Sequence, residues 1–163
     1  MLLGTLTTQK LLQLLSSEPG LPARIGQMST GDGHPFPVFS AQQVIAQNVA
    51  ADIAERSTGA NYPLVQVYCS KLSNSLTEKF RKFSGQAQMA AEVRVSQDRL
   101  EGLESAAQMY ADAVTQVLEQ SRGDWGDGMF YCGAYEINYG PVKSGGKNFT
   151  QTAKITFALE ISI

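Results

Sequence analysis

The chain holds one histidine, two cysteines and one tryptophan in 163 residues. A single histidine excludes a His-rich metal site, and no nucleophile stands beside it in a recognisable pattern. It is His34, in GDGHPF, where glycine and proline neighbours suit a turn or a solvated loop. Cys69 and Cys132 are far apart and match neither a zinc spacing nor a CxxC redox pair. They read as small buried apolar residues on strands, with a disulfide open only in an oxidising compartment. Charge is also scarce, at 17% of residues with a net charge of -2. The sequence therefore lacks the basic patch of a nucleic-acid binder, and its near-neutral surface favours association. No run is long and apolar enough to span a bilayer. The opening MLLGTLTTQKLLQLL has no basic n-region and is interrupted by Thr7, Thr8, Gln9, Lys10 and Gln13. It is not expected to act as a secretory signal, so the expected location is a cytoplasm. For the same reason the NFT at Asn148–Thr150 is not expected to be glycosylated.

What the chain does have is alternation. In QTAKITFALEISI, residues Ala153, Ile155, Phe157, Leu159, Ile161 and Ile163 fall on one face. Thr152, Lys154, Thr156, Glu160 and Ser162 fall on the other, the pattern of a half-buried strand. Such a strand needs something on each of its edges. Leu64–Ser73 reads as a second strand, with Val65, Val67 and Cys69 on one face and Lys71 at its end. Gln86–Ser96 reads as a third, with Ala87, Met89, Ala91, Val93 and Val95 inward. Met129–Tyr139 reads as a fourth. It is expected to form a long antiparallel hairpin with the final strand through a flexible tip at residues 140–148.

Helical periodicity appears in three places. Leu11, Leu12, Leu14 and Leu15 mark a helix over Thr7–Ser17, stopped by Pro19 and Gly20. Ser40 and Gln43 match a capping box opening a second helix, with Val44, Ile45, Val49 and Ile53 as its stripe and a stop at Gly59. Asp98 and Glu101 read as the start of the main helix, in which Leu100, Leu103, Ala107, Tyr110, Val114 and Val117 recur at three- and four-residue steps. The Gly/Pro-rich segment 26–39 reads as a long loop. The polar connection NSLTEKFRKF has room for a helical turn at Leu76–Phe83. The expectation is one α+β domain over residues 1–163. Its sheet is mixed or antiparallel, with about four strands, helices on one face and a long C-terminal β-hairpin.

Catalytic patterns are weak. KSGGKN lacks the P-loop spacing and lies between strands, where it reads as a hairpin tip. Asp98, Glu101 and Glu104 favour a helix dipole. Asp124 and Asp127 flank Trp125 in glycine turns, which carry Asp without needing a cation. No catalytic residue, cofactor site or metal site is expected. Trp125, Phe130, Tyr131, Tyr135 and Tyr139 crowd one turn and strand. They belong either to a large core or to an interface between subunits, where Tyr and Trp are enriched.

YPLVQVYCSKL, then AEVRVSQDRLEGLESAAQMYADAVTQVLEQ, then a turn and a hairpin ending in TQTAKITFALEISI together resemble the tail terminator (tail completion) proteins of long-tailed bacteriophages. The resemblance covers roughly Leu64–Ile163 and rests on element order, without a short diagnostic motif. It implies a virion structural protein, assembled in the host cytoplasm, that forms a homohexameric ring on the tail tube. The ring would stop tube polymerisation and join the tail to the head-side connector or stopper protein. DNA passes through such a ring without specific recognition, and no cofactor or turnover is implied. Under this reading the final strand pairs with Met129–Tyr139, and a neighbouring subunit covers the hairpin's outer part or other edge. Loops Gly31–Phe39 and Val142–Asn148 are then contact candidates. The residues singled out for partner interfaces are His34, Phe36, Phe39, Trp125, Tyr131, Tyr135, Lys143 and Lys147. Two other readings stay open. One is another neck, baseplate or tail-associated protein. The other is a small α+β enzyme or ligand-binding domain using Asp32, His34 and Asp127.

Overall fold

The computed structural model describes residues 2–31, 39–50, 62–145 and 147–163. Its elements are α1 (Leu3–Ser16), α2 (Leu21–Gly31), a 3₁₀ turn (Ala41–Gln43), β1 (Val44–Ala46), β2 (Leu64–Asn74), β3 (Ser84–Gln97) and α3 (Leu103–Gln120). Five strands follow: β4 (Gly123–Gly126), β5 (Met129–Tyr131), β6 (Glu136–Tyr139), β7 (Lys143–Gly145) and β8 (Asn148–Ser162). The strands form one open mixed sheet in the order β1-β2-β3-β8-β5-β4, with β6 and β7 also paired to β8. Eight strands replace the expected four. Among the described residues, only the β1–β2 pair is parallel.

The α+β class and the single helical layer agree with the sequence reading. Alternation puts Ala87, Met89, Ala91, Val93 and Val95 of β3 on the same face as Ala153, Ile155, Phe157, Leu159 and Ile161 of β8, all buried. The helices close over this face and share one core with it. Within that layer α3 packs on β3 and β8, α1 on β2, and α2 on α3. Each large apolar side chain in this core contributes roughly 1.5–3 kcal/mol.

β8 is an inner strand. β3 pairs with it from Ser84↔Ser162 to Gln97↔Phe149. On the other side β5, β6 and β7 take successive stretches of its edge. The expected antiparallel pairing of the final strand with the 129–139 stretch is present, through β5 and β6, but the other edge of β8 is filled by β3 and not by a neighbouring subunit. The long strand expected over Met129–Tyr139 is broken after Tyr131. Gly133 adopts φ +105 there, a conformation that leaves the strand. The stretch expected as a plain turn, GDWGDG, instead supplies β4, which pairs with β5. The 140–148 tip is partly strand, with Lys143–Gly145 paired to Asn148–Thr150.

Several helix boundaries also differ. Residues 26–31 of the expected loop belong to α2, which starts at Leu21 because Leu21 and Ile25, one turn apart, are both buried. Pro22 is tolerated in its first turn, where no intrahelical N–H bond is lost. α1 begins at Leu3 because Leu3 and Thr7 continue the buried stripe of Leu11 and Leu15. The capping box of Ser40 and Gln43 is real, but it closes only one 3₁₀ turn. Val44–Ala46 then pairs with Val65–Val67 as β1, so the expected helix is absent over its described part. Residues 51–61 of that expectation lie outside the described residues. α3 starts at Leu103, with Gly102 as N-cap and no side-chain cap. Asp98 and Glu101 remain in the connection, where Gln97 Nε2 donates to the carbonyls of Arg99 and Glu101, each at 2.7 Å. Leu100 is consequently exposed. A bulge between Cys69 and Lys71 moves Lys71 to the face opposite Cys69. Cys132 is exposed and Cys69 half-buried, so the expectation of two buried thiols fails; both are free.

Candidate interaction surface

The residues singled out from the sequence do not converge. Phe39 is buried against Tyr110, with ring centroids 6.1 Å apart. Tyr131 is fully buried, 5.7 Å from Trp125 and 5.1 Å from Phe157 between centroids. Trp125 is half-buried in that cluster and donates from Nε1 to Ser121 O at 2.7 Å. Trp125 and Tyr131 thus tie β4 and β5 to Phe157 of β8, and Phe39 packs on α3; within the single chain Phe39 and Tyr131 serve the core. Lys143 and Lys147 are exposed on β7 and beside it. Tyr135 is half-buried and donates to Glu119 Oε1 at 2.8 Å. His34 and Phe36 lie outside the described residues, as does Asp32. Asp127 pairs with Lys10 at 2.9 Å on the surface. Among the described residues no cluster of His, Cys, Asp and Glu could hold a metal. Among them also, no helix is long and apolar enough to cross a membrane.

The arrangement that stands out is the β2–β3 connection, residues 75–83. It is not helical, because side chains of the flanking strands claim its backbone. Asn74 Oδ1 accepts from the N–H groups of Leu76 and Ser84, at 3.3 and 3.0 Å. Asn74 Nδ2 donates to Lys82 O at 3.3 Å. The hydroxyls of Thr77 and Ser84 lie 2.6 Å apart, and Ser162 Oγ donates to Glu78 Oε2 at 2.6 Å. The N–H groups of Lys82 and Phe83 both donate to Ile163 O, and Ile163 N–H returns a bond to Phe83 O. The connection is therefore tied to itself and to the end of β8.

Out of this framework two apolar side chains point into water. Phe80 is fully exposed, and Leu76 is exposed as well. Both take left-handed backbone angles, φ 65 and φ 48, which cost a non-glycine residue roughly 1–3 kcal/mol. Strain and exposure at one aromatic residue do nothing for the folded monomer. Lys79, Arg81 and Lys82 flank it; Glu78 is bonded to Arg81 at 3.3 Å, and Glu160 lies across the adjoining cleft. The tip is thus an apolar knob with a basic collar. Phe80→Gly is expected to hold or raise the melting temperature, since glycine adopts this φ freely. A fall of several degrees in a thermal melt would show that the ring is packed after all.

Beside the knob lies a cleft of about 470 Å³ lined by Ser73, Thr77, Glu78, Phe130, Glu160 and Ser162, among others. Its floor needs glycine. A Cβ on Gly85 would stand 1.9 Å from Ser73 O. Phe130 on the rim is also exposed.

A second surface has the opposite charge. α3 carries no lysine or arginine, and Glu104, Gln108, Asp112 and Glu119 lie exposed on it. β6 runs alongside at the sheet margin. Its Ile137 and Tyr139 pair in register with Ile155 and Ala153, which places them on the helical face. Ile137 is half-buried and Tyr139 exposed. The Tyr135 hydrogen bond to Glu119 raises its phenol pKa, with burial adding to it. Burial raises that of Tyr139, and the charge of Asp112 adds to it.

The face of the sheet turned away from the helices carries a buried polar network that the sequence reading missed. Tyr68 donates to Glu92 Oε1 at 2.6 Å, and Arg94 Nη2 donates to Glu92 Oε2 at 3.0 Å. Val49 O accepts from Arg94 Nη2 at 2.6 Å and from Gln66 Nε2 at 3.2 Å. Burial, with Glu92 second, raises the Tyr68 pKa. Lys154 Nζ sits 5.8 Å from the Tyr68 ring centroid. Alternation marks this face only as polar, because period two says nothing of what covers it. No protein-family model matches the chain, and no curated protein matches it either.

Proposed function

We propose that this chain is an assembly subunit, a virion structural protein of a long-tailed bacteriophage. In this reading copies form a homohexameric ring on the end of the tail tube. The ring stops tube growth and offers its far side to the head-side connector. The chain works by docking and carries out no turnover. The observation that carries the reading is the β2–β3 connection. It spends hydrogen bonds and backbone strain to hold Phe80 in water, an arrangement that makes sense when another protein receives it. The helix-sheet order over Leu64–Ile163 supports the finer identification through its resemblance to tail terminators. The six-fold count and the tube come from that resemblance alone.

Electron microscopy of the purified chain mixed with tail tubes assembled without it tests this directly. Rings seated on one end of each tube, with tube length arrested, are the expected result. Particles that ignore the tubes would overturn the terminator reading in favour of another neck or baseplate component.

A further inference from the structure

We propose that the β2–β3 connection of one copy seats on the acidic, tyrosine-lined face that α3 and β6 present on the next copy. This rests on the assembly reading and names the two surfaces that meet.

The two patches are complementary in charge and chemistry. The knob offers Phe80 between Lys79, Arg81 and Lys82. The receiving face offers Asp112 and Glu119 beside Tyr135, Ile137 and Tyr139, with Glu104 further along the same helix. Ile137 and Tyr139 offer an aromatic ring partly exposed apolar surface, and the basic collar would face carboxylates and tyrosine rings, both of which attract cations. α3 itself has no basic residue, and the cation beside the face is Arg122, which lies past the helix end against Gly133, at the Glu119 end. The tyrosine phenols by the carboxylates are protonated at neutral pH like any phenol, and the upward shifts at Tyr135 and Tyr139 only widen that margin. They therefore add no negative charge of their own at neutral pH, and their hydroxyls remain donors.

The knob cannot reach this face in its own copy. It is bonded to Ile163 at one end of β8, whereas β6 pairs with Ala153–Thr156. At the strand rise of about 3.3 Å per residue, that separation is roughly 20–30 Å along the strand. The contact must be made between copies. It joins two different patches, so it is head-to-tail, and repeating it closes a ring or extends a filament.

The test is the association constant of the full chain by sedimentation velocity, at low and high salt. The wild-type chain is expected to self-associate, more weakly as salt rises. Reversing the collar with K79E/R81E/K82E is expected to weaken association about tenfold or more, as is E104K/D112K on the receiving face. Mixing the two reversed variants, each of which retains a complementary surface for the other, should restore hetero-association to near the wild-type value. Circular dichroism melts check that both variants fold. Phe80→Ser, which leaves every charge in place, should weaken association as well. A wild-type chain that stays monomeric at its solubility limit overturns the proposal. So does association that ignores the reversals or is not restored by mixing. Rings that cap tubes in spite of such indifference would overturn this contact alone and leave the tube reading standing. Restored association in a protein that ignores tubes would do the reverse.

Discussion

A chain cut after Ala158 is expected to lose its cooperative fold. The cut removes Leu159 and Ile161, both buried, each contributing roughly 1.5–3 kcal/mol. It also removes the pairing of residues 159–162 with β3, the Met129↔Ile161 and Phe130↔Glu160 pairs with β5, and the bonds between Ile163 and the 82–83 backbone. The sum is comparable to the whole stability of an ordinary domain, about 5–15 kcal/mol. Far-UV circular dichroism with a thermal scan reads the result. A truncated chain that melts cooperatively within a few degrees of the full one would refute the central role of β8.

Arg94→Met is expected to cost about 3–5 kcal/mol, because it leaves the Glu92 carboxylate buried without its cation. The side chains of Arg94 and Glu92 are only 5% and 14% exposed. In a domain of this size such a loss lowers the melting temperature by roughly 10 °C. The double variant Glu92→Leu/Arg94→Met should regain much of that loss, since it removes both charges together. A single variant within 1–2 °C of the wild type would mean that water reaches the guanidinium and that the pair is not buried in solution.

The strands that alternate cleanly are legible in the sequence. β2, β3 and β8 can be placed within a few residues because one face of each meets the helices and the other does not. Elements whose signal is shared are not legible. In α2, glycine and proline around Leu21 and Ile25 mask a stripe only two residues long. In β1, Val44 and Ile45 follow a genuine capping box, and local chemistry alone favours a helix there. Pairing with Val65–Val67, distant in sequence, overrides it. The break at Gly133 and the route of β5, β6 and β7 along one edge of β8 are tertiary facts that no periodicity encodes. The candidate interaction surface is the least legible of all. The aromatic cluster attracts notice by density, yet density is what a core needs, and Tyr131 and Phe39 belong there. Phe80 sits between Leu76 and Phe83 in a polar stretch, at spacings that read as a helical turn and not as an exposed tip. What betrays it is backbone angle and exposure, which appear only in three dimensions.

The position of β8 between β3 and the β5–β7 series also has a consequence for synthesis. β3 follows β2 directly and can pair with it as a local hairpin as soon as both are made. Its other edge must wait for β8, through the making of α3 and four short strands. Sheets built on such distant pairings fold slowly. While translation proceeds at about 5–20 residues per second, the apolar face of β2 and β3 is covered by helices at best, with one edge unpaired. A nascent chain stalled before Asn148 should therefore be a favoured client for chaperones that bind exposed strands, and a chain released before β8 is made should aggregate through the open edge of β3.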